Sequence, residues 1–331
     1  MKALITGAAG LVGSNLCRLW LELHGPHSVL ALTGPVQHET EARRLAELSR
    51  WPLRQIPFDL TRRPVVGNGL GEFDVLFHLA AYVRTEDASP EVRINDVGTR
   101  WLLEELGEQL RGKHVVFASS IAAVDTTHAR NGWMDTATTS CPRTDYGRTK
   151  LAAEAILKEE SRRLGFTYCI LRFPTVYGPG YRPGGMFGFF KEQLPGRTLG
   201  SRIPWPGRMS IVEVSDLAKI LAESAVRDEM LGKTFFVSSG EDPTMGEMAG
   251  IAAECLGVAF RPLPIARQLF RPMGVIGGAL AGAAFLPHPL RTLGWRVSLV
   301  VDGFCCDGSE LTRLLGMSYS PWRESFQRMY R

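Results

Sequence analysis

Apolar positions in the first half of the chain alternate between two patterns. Lys2–Thr6, Ser28–Thr33, Phe73–His78, Lys113–Ser119 and Tyr168–Phe173 are short, nearly continuous apolar runs rich in β-branched residues, and Arg54–Phe58 is strand-like. Runs of that kind suit strands buried on both faces. Between them, Val12–Leu23, Ile94–Leu110 and Tyr146–Leu164 place their apolar residues at helical spacing. Strands alternating with helices predict right-handed βαβ units, an α/β fold with a doubly wound parallel sheet covered on both faces. After about Val176 the rhythm breaks. Gly and Pro cluster at 178–185 and 195–207 and the helical stretches shorten. The expected organisation is therefore a first domain over 1–176 and a smaller, irregular lobe over 177–331 that can return an element to the sheet.

Composition narrows the class. The 331 residues are 45% hydrophobic and 22% charged, with a net charge of +4, which excludes disordered, collagen-like and coiled-coil chains. The small, dispersed positive charge gives no footprint for nucleic acid. Cysteines 17, 141, 169, 255, 305 and 306 form no CxxC pair and read as reduced thiols, mostly core fillers. No charged leader with an apolar core and cleavage site opens the chain, and the longest apolar run, Met273–Pro287, falls short of the roughly 20 residues that span a bilayer. A cytoplasmic protein without a membrane span is expected. Met273–Leu286 reads as a buried Gly/Ala-rich helix, the alternative being a lipophilic lid or a membrane-touching helix. Met186, Phe187, Phe190 and Leu194, with Phe189 alongside, have the spacing of helical core.

Three segments carry chemistry. Gly7-Ala8-Ala9-Gly10-Leu11-Val12-Gly13 follows the first strand and opens the first helix. Missing side chains there let a pyrophosphate approach backbone N–H groups at the positive helix end. The second strand ends on Thr33-Gly34-Pro35 with no Asp or Glu to repel a 2′-phosphate, and Arg43 and Arg44 follow. This favours NADP over NAD. Tyr146-Gly147-Arg148-Thr149-Lys150 places a phenol and an ammonium one turn apart on a helix. A neighbouring cation favours phenolate, drawing a tyrosine down from about 10 into a useful acid–base range. Ser119-Ser120 ends the preceding strand, where a hydroxyl can bond a substrate oxygen. His78 reads as a packed strand-end residue rather than a base.

In order and spacing these segments resemble the extended short-chain dehydrogenase/reductase superfamily, the NAD-dependent epimerase/dehydratase group. The resemblance rests on Thr6–Gly13, Asp59-Leu60, His78–Ala81, Asn95–Thr99, Ser119-Ser120, Tyr146–Lys150, and Leu171-Arg172 followed by Val176–Pro179, and it covers about 1–220. It implies a Rossmann domain and a substrate lobe, with Ser120, Tyr146 and Lys150 as the catalytic set. Cofactor contacts are expected from Gly7, Gly10, Leu11, Val12, Gly13, Thr33, Asp59, Leu60, Ala80, Ala81, Lys150, Phe173 and Val176. Asp59 would touch the adenine, Val176 would lie near the carboxamide, and Asn95 would kink a helix. Ile121-Ala122 stands where dehydratases of this group carry Asp-Glu, and Thr175 and Met209 replace residues usual in nucleotide-sugar epimerases. The Arg172–Pro179 segment looks closer to 3β-hydroxysteroid-dehydrogenase-like and dihydroflavonol-reductase-like members.

The expected activity is NAD(P)-dependent interconversion of a ketone and a secondary alcohol on a small carbonyl or hydroxyl substrate. The alternatives are a nucleotide-sugar epimerase with tightly bound NAD and a non-catalytic binding relative. No metal site is read. Adjacent apolar pairs, Leu102-Leu103 and Ile156-Leu157, widen the apolar arcs of their helices beyond one packing partner. This surplus predicts a homodimer through the helices around 94–110 and 146–164.

Overall fold

Short apolar runs become strands and the periodic segments become helices. A computed structural model describes residues 1–64, 70–83, 90–129, 132–181, 186–196, 198, 200–283 and 285–330, with side chains at all of these but 90, 91, 186 and 267. In chain order the elements are β1 (Ala3–Thr6), α1 (Leu11–His24), β2 (Val29–Thr33), α2 (Glu39–Leu48), β3 (Arg54–Pro57), β4 (Val75–His78), α3 (Val97–Leu106), β5 (His114–Ser120), β6 (Trp133–Met134), α4 (Asp145–Leu164), β7 (Thr167–Phe173) and β8 (Thr175–Tyr177). They continue with α5 (Met186–Gln193), β9 (Ile211–Glu213), α6 (Val214–Ser224), β10 (Lys233–Phe236), α7 (Met245–Cys255), α8 (Phe270–Gly282), α9 (His288–Asp302), β11 (Cys305–Cys306), α10 (Ser309–Leu315) and α11 (Trp322–Tyr330).

Seven strands form one sheet in the order β10-β7-β5-β4-β1-β2-β3. The pairs from β7 to β3 are parallel, with Thr6 opposite both Leu32 and His78. Strand order reverses between β1 and β4, the crevice where open α/β sheets bind ligands. Alternate residues serve opposite faces. Leu76 joins the core that Leu102, Leu103 and Leu106 of α3 and Leu157 of α4 build. Its neighbour Phe77 turns the other way, its ring centroid 5.1 Å from Trp20 of α1.

At the ends of β1 and β4 one hydroxyl organises the backbone. Thr99 Oγ1 donates to the Asn95 carbonyl at 2.6 Å, so it accepts from His78 Nε2 at 2.8 Å. His78 Nδ1 is then bare and accepts from Thr6 Oγ1 at 2.8 Å. The Thr6 oxygen in turn accepts from the backbone N–H groups of Leu79 and Ala80, at 3.0 and 3.1 Å. Every polar side-chain atom in this Thr99–His78–Thr6 hydrogen-bond relay is partnered. Burial pushes His78 down to about 3, so its ring is neutral at physiological pH and acts as a strut, as its strand-end position predicts.

Two units emerge. The first comprises Met1–Ala123, Asp145–Phe173 and Val214–Phe235; the second comprises Val124–Thr144, Pro174–Glu213 and Phe236–Arg331. A single boundary at 176/177 does not describe this division. Residues beyond it return α6 and β10 to the first unit, and 124–144 leave it early, because strand pairing rather than chain position decides membership. In the second unit β8 pairs with β9 and β6 with β11, both parallel. Phe187 and Phe190 are buried there, Phe187 against Tyr177 and Phe326, while Phe189 is exposed.

Two expectations change. Leu102 and Leu103 are both wholly buried within the single chain, because α3 is deep enough in the core for both to find cover. Ile156 also packs against that core. The Leu102-Leu103 part of the surplus arc that predicted a homodimer is thus covered internally, while Leu151, Ala152 and Ile156 of α4 stay half-buried. The Met273–Leu286 run is not buried throughout: Val275 and Ile276 of α8 are 74% and 60% exposed, since the inner face of α8 is made by its small residues instead.

Replacing Thr6 with Val keeps the shape but leaves two backbone N–H groups and a ring nitrogen short of a partner. We expect a loss of roughly 2–3 kcal/mol, read as a lower urea midpoint with an unchanged m-value.

Candidate active site

The loop after β1 is set by glycine at each turn. Gly7 has φ +68°, and a Cβ there would lie 2.8 Å from the Ala80 nitrogen. A Cβ on Gly13 would lie 2.2 Å from the Gly7 carbonyl oxygen. The first lets the loop cross the end of β4, and the second presses α1 onto the loop. Gly10 is the N-cap of α1, its N–H donating to the Gly7 carbonyl at 2.9 Å. Leu11 and Val12, half-buried, begin a helix with no acidic residue in its first turn, so its positive end is not neutralised from within.

Around this loop stand the other expected contacts. Thr33 ends β2 nearly buried, and Leu32 accepts the Ala8 N–H at 3.3 Å, clamping the loop to that strand. Arg44 Nε donates to the Ala9 carbonyl at 2.8 Å, which ties α2 to the loop, whereas Arg43 pairs with Glu39 at the surface. Asp59 spends one carboxylate oxygen on the N–H and hydroxyl of Thr61, at 2.9 and 2.7 Å. Leu60 is buried beneath Gly98, and Ala80 and Ala81 are half-buried after β4.

At the ends of β5 and β7 a second group assembles. Ser120 and Phe173 are register partners, and the Ser120 hydroxyl accepts the Ala122 N–H at 3.1 Å. The same hydroxyl stands beside Tyr146 and favours its ionised form. Lys150, one turn on, is 2% exposed; its Nζ donates to the Ala118 carbonyl at 2.6 Å and lies 4.7 Å from the centre of the Phe117 ring. Asn95 braces α4 from the side: its amide donates to Thr149 Oγ1 at 3.1 Å and clasps the Tyr82 backbone through both its groups. The short 3₁₀ turn Pro90–Ile94 ends just before it, so Asn95 marks a break ahead of α3.

The electrostatics differ from the expected pairing. Tyr146 is pushed up to about 12, mainly because burial disfavours phenolate, with the Ser120 hydroxyl opposing. Lys150 is pushed down to about 7, again by burial, with Glu154 opposing. A phenol lowered by its neighbouring ammonium is therefore not what this structure contains. Desolvation outweighs the pairing, and the Lys150 amine is directed to a carbonyl.

Sequence reasoning missed Glu154. It is 2% exposed, accepts from Ser119 Oγ at 2.6 Å, and takes Arg172 in a two-point ion pair, Nε to Oε1 at 2.9 Å and Nη2 to Oε2 at 2.8 Å. Its signal was present in the spacing: Tyr146, Lys150 and Glu154 repeat every four residues along one helical face. The structure thus gathers the glycine loop, Thr33, Ala80, Ser120, Tyr146, Lys150 and Phe173 in the first unit. Val176, in β8, belongs to the second.

A lysine held near 7 against an unfolded value near 10.5 binds fewer protons folded than unfolded between those limits, so its contribution to stability rises with pH across that window. Burial of the charge costs on the order of 4 kcal/mol at the acid end. Lys150→Met should therefore stabilise the cofactor-free protein at pH 7. Its advantage over wild type should shrink when urea unfolding is repeated at pH 9.5.

The family model described as "NAD dependent epimerase/dehydratase family" matches residues 3–221. An "uncharacterized UDP-glucose epimerase" of Bacillus subtilis is 28% identical, covering 78% of this chain and 83% of its own length. Sterol demethylase protein B of Methylococcus capsulatus is 26% identical, covering 98% of this chain and 96% of its own. The crystal structure of UDP-glucuronic acid 4-epimerase from Bacillus cereus, solved with UDP-glucuronic acid and NAD, has a TM-score of 0.76 at 20% identity, covering 100% of this chain and 98% of that one. With the glycine loop, the reversed strand order and the Ser–Tyr–Lys set in place, the chain belongs to the NAD-dependent epimerase/dehydratase family of extended short-chain dehydrogenase/reductase enzymes.

Proposed function

We propose that this enzyme interconverts an alcohol and a ketone at one carbon of a sugar nucleotide, acting as an epimerase with its dinucleotide held throughout the cycle. The observation that carries the redox chemistry is Tyr146 placed beside the Ser120 hydroxyl, one helical turn from a buried Lys150. The sugar nucleotide follows from the relatives, since the Bacillus subtilis protein and the Bacillus cereus structure are both named as epimerases of UDP-sugars. The glycine loop fits a dinucleotide: Gly7 and Gly13 let it fold tightly against β4 and α1, while around Gly10 only the Gly7 oxygen, at 3.0 Å, comes within 4 Å of an added Cβ. Gly7, Gly10, Leu11, Val12 and Gly13 would hold the pyrophosphate. Thr33, Asp59 and Leu60 would hold the adenosine, and Ala80, Ala81, Lys150, Phe173 and Val176 the nicotinamide ribose and ring. When bound, the nicotinamide supplies hydride exchange at the substrate carbon.

The chain's own residues handle the proton. Tyr146 gives its proton to the substrate oxygen as that oxygen gains charge and takes it back in the reverse direction. Ser120 donates to the same oxygen and steadies it. At about 12 the phenol is protonated at neutral pH and ready to donate. Cationic charge beside it favours phenolate, so protonation of Lys150, poised near 7, couples to ionisation of Tyr146.

A second reading, net oxidation or reduction of a less polar alcohol, has its own support. Sterol demethylase protein B aligns with nearly the whole chain, and Thr175 and Met209 depart from the epimerase pattern. Mass spectrometry of the purified protein, followed by incubation with UDP-glucose and UDP-glucuronic acid, separates the two. Epimerisation without change in added NAD(P)H supports the first; stoichiometric consumption of added cofactor supports the second.

Tyr146→Phe removes only the proton-transfer hydroxyl. Turnover should fall at least a thousandfold, about 4 kcal/mol in the barrier, while cofactor affinity stays within threefold. Near-wild-type activity on a verified substrate rejects the assignment.

The cofactor follows from the end of β2. With Thr33 in place of a carboxylate, NADP is expected to bind at least as tightly as NAD. Thr33→Asp should weaken NADP tenfold or more by repulsion. Fluorescence titration of the wild type with both decides it: NAD tighter by tenfold shows that another group reads the ribose.

A further inference from the structure

The hairpin of α8 and α9 buries two large residues, Phe270 and Trp295, and turns most of its other large apolar residues outward. The seam between the helices is made of small ones: Gly274, Gly277 and Ala281 are buried on α8, and Gly294 and Ser298 on α9. A Cβ on Gly277 would lie 2.8 Å from the Gly294 carbonyl oxygen, and one on Gly294 would lie 2.7 Å from the Gly277 oxygen. The helices are pressed together through glycine, which leaves no place for bulk along that seam. Leu269 is 61% exposed, Ile276 60%, Leu293 54%, and Phe285, in the connection between the helices, 88%. Met273, Val275 and Leu290 are exposed with them. A contiguous stretch with this much exposed apolar surface marks an interaction site.

Charge identifies the occupant. From Cys255 to Val301 the chain carries no Asp or Glu but has Arg261, Arg267, Arg271, Arg291 and Arg296. This stretch holds five positive charges in a chain whose net charge is +4. Arg271 and Arg296 are exposed, each one turn from an exposed apolar residue, Val275 and Leu293 respectively. A second copy of the chain would bring the same arginines against these, and the two helices offer only one carboxylate, Asp302 at the end of α9, in return. The helices, 13 and 15 residues long, are too short to cross a bilayer, and no described helix is long and apolar enough to do so. Apolar residues flanked by arginine on helices of this length suit the boundary between acyl chains and headgroups.

We propose that the α8–α9 hairpin docks this enzyme on an anionic lipid surface, with Phe285 and Ile276 entering the acyl boundary and the arginines meeting the headgroups. This stands apart from the reading of the active site.

The test is co-sedimentation of the full chain with vesicles of phosphatidylglycerol and phosphatidylcholine in equal parts, against phosphatidylcholine alone. Binding to the anionic vesicles should be at least tenfold tighter. Ile276→Asp and Phe285→Asp, both at exposed positions, should each weaken it tenfold or more without changing the circular dichroism spectrum. Arg271→Glu should reduce the preference for anionic lipid. No binding by the folded wild type overturns the proposal, as does equal binding by the wild type and Ile276→Asp. So does a two-chain mass without lipid that Ile276→Asp returns to one, which would give the face to a second copy.

Discussion

The Thr6 hydroxyl holds the exits of two neighbouring strands at a spacing that no side chain on Gly7 would allow. β1 and β4 run parallel and buried, so their last residues need partners that the ladder no longer provides. Thr6 supplies them to Leu79 and Ala80 and is itself completed by His78. With the β4 exit fixed, Gly7 can pass within contact of Ala80. The glycine loop is then shaped by its own turn and by the strand beside it, before any ligand arrives. The same hydrogen-bond chain reaches Asn95 and, through Thr149, the helix that carries Tyr146 and Lys150. Loop and acid–base helix are thereby referred to one frame.

Burial is the second constraint. Drawing Lys150 wholly and Tyr146 partly out of water moves their proton affinities in opposite directions, so both neutral forms are favoured and the pair is uncharged over part of the neutral range. Glu154 limits this by adding a carboxylate on the same helical face, its own burial offset by Arg172 and Ser119. A carboxylate so placed steadies a lysine charge that desolvation would otherwise remove.

Much of the first unit was legible in residue order. Buried parallel strands are continuous in apolar residues and their helices are not, so β1, β2, β4, β5 and β7 and the helices between them stand out. The placement of Tyr146 and Lys150 on one helical face, near the strand end that carries Ser120, was legible because it depends on local spacing. Glu154 was passed over because a glutamate on a helix is ordinarily a solvated residue, and only the third dimension supplies Arg172. The exposure of Val275 and Ile276 was hidden for the converse reason: a Gly-rich apolar run looks like core until the glycines are seen to make the inner seam. The return of β10 to the sheet could only be left open, since a four-residue strand in an irregular region has little pattern of its own.

That return has a consequence for how the chain acquires its structure. Between β7 and β10 lie about sixty residues, most of them leaving for the second unit, and the chain passes between the two units five times. The edge of the seven-stranded sheet cannot close until residue 236 has been made, and closing so long an excursion is slow, although a longer loop adds little thermodynamic penalty. During synthesis the β7 edge stands unpaired while the excursion emerges, an open strand of the kind that recruits wrong partners. Chaperone dependence and truncation sensitivity in this protein should thus concentrate on the stretch that delivers β10, far in sequence from the glycine loop after β1.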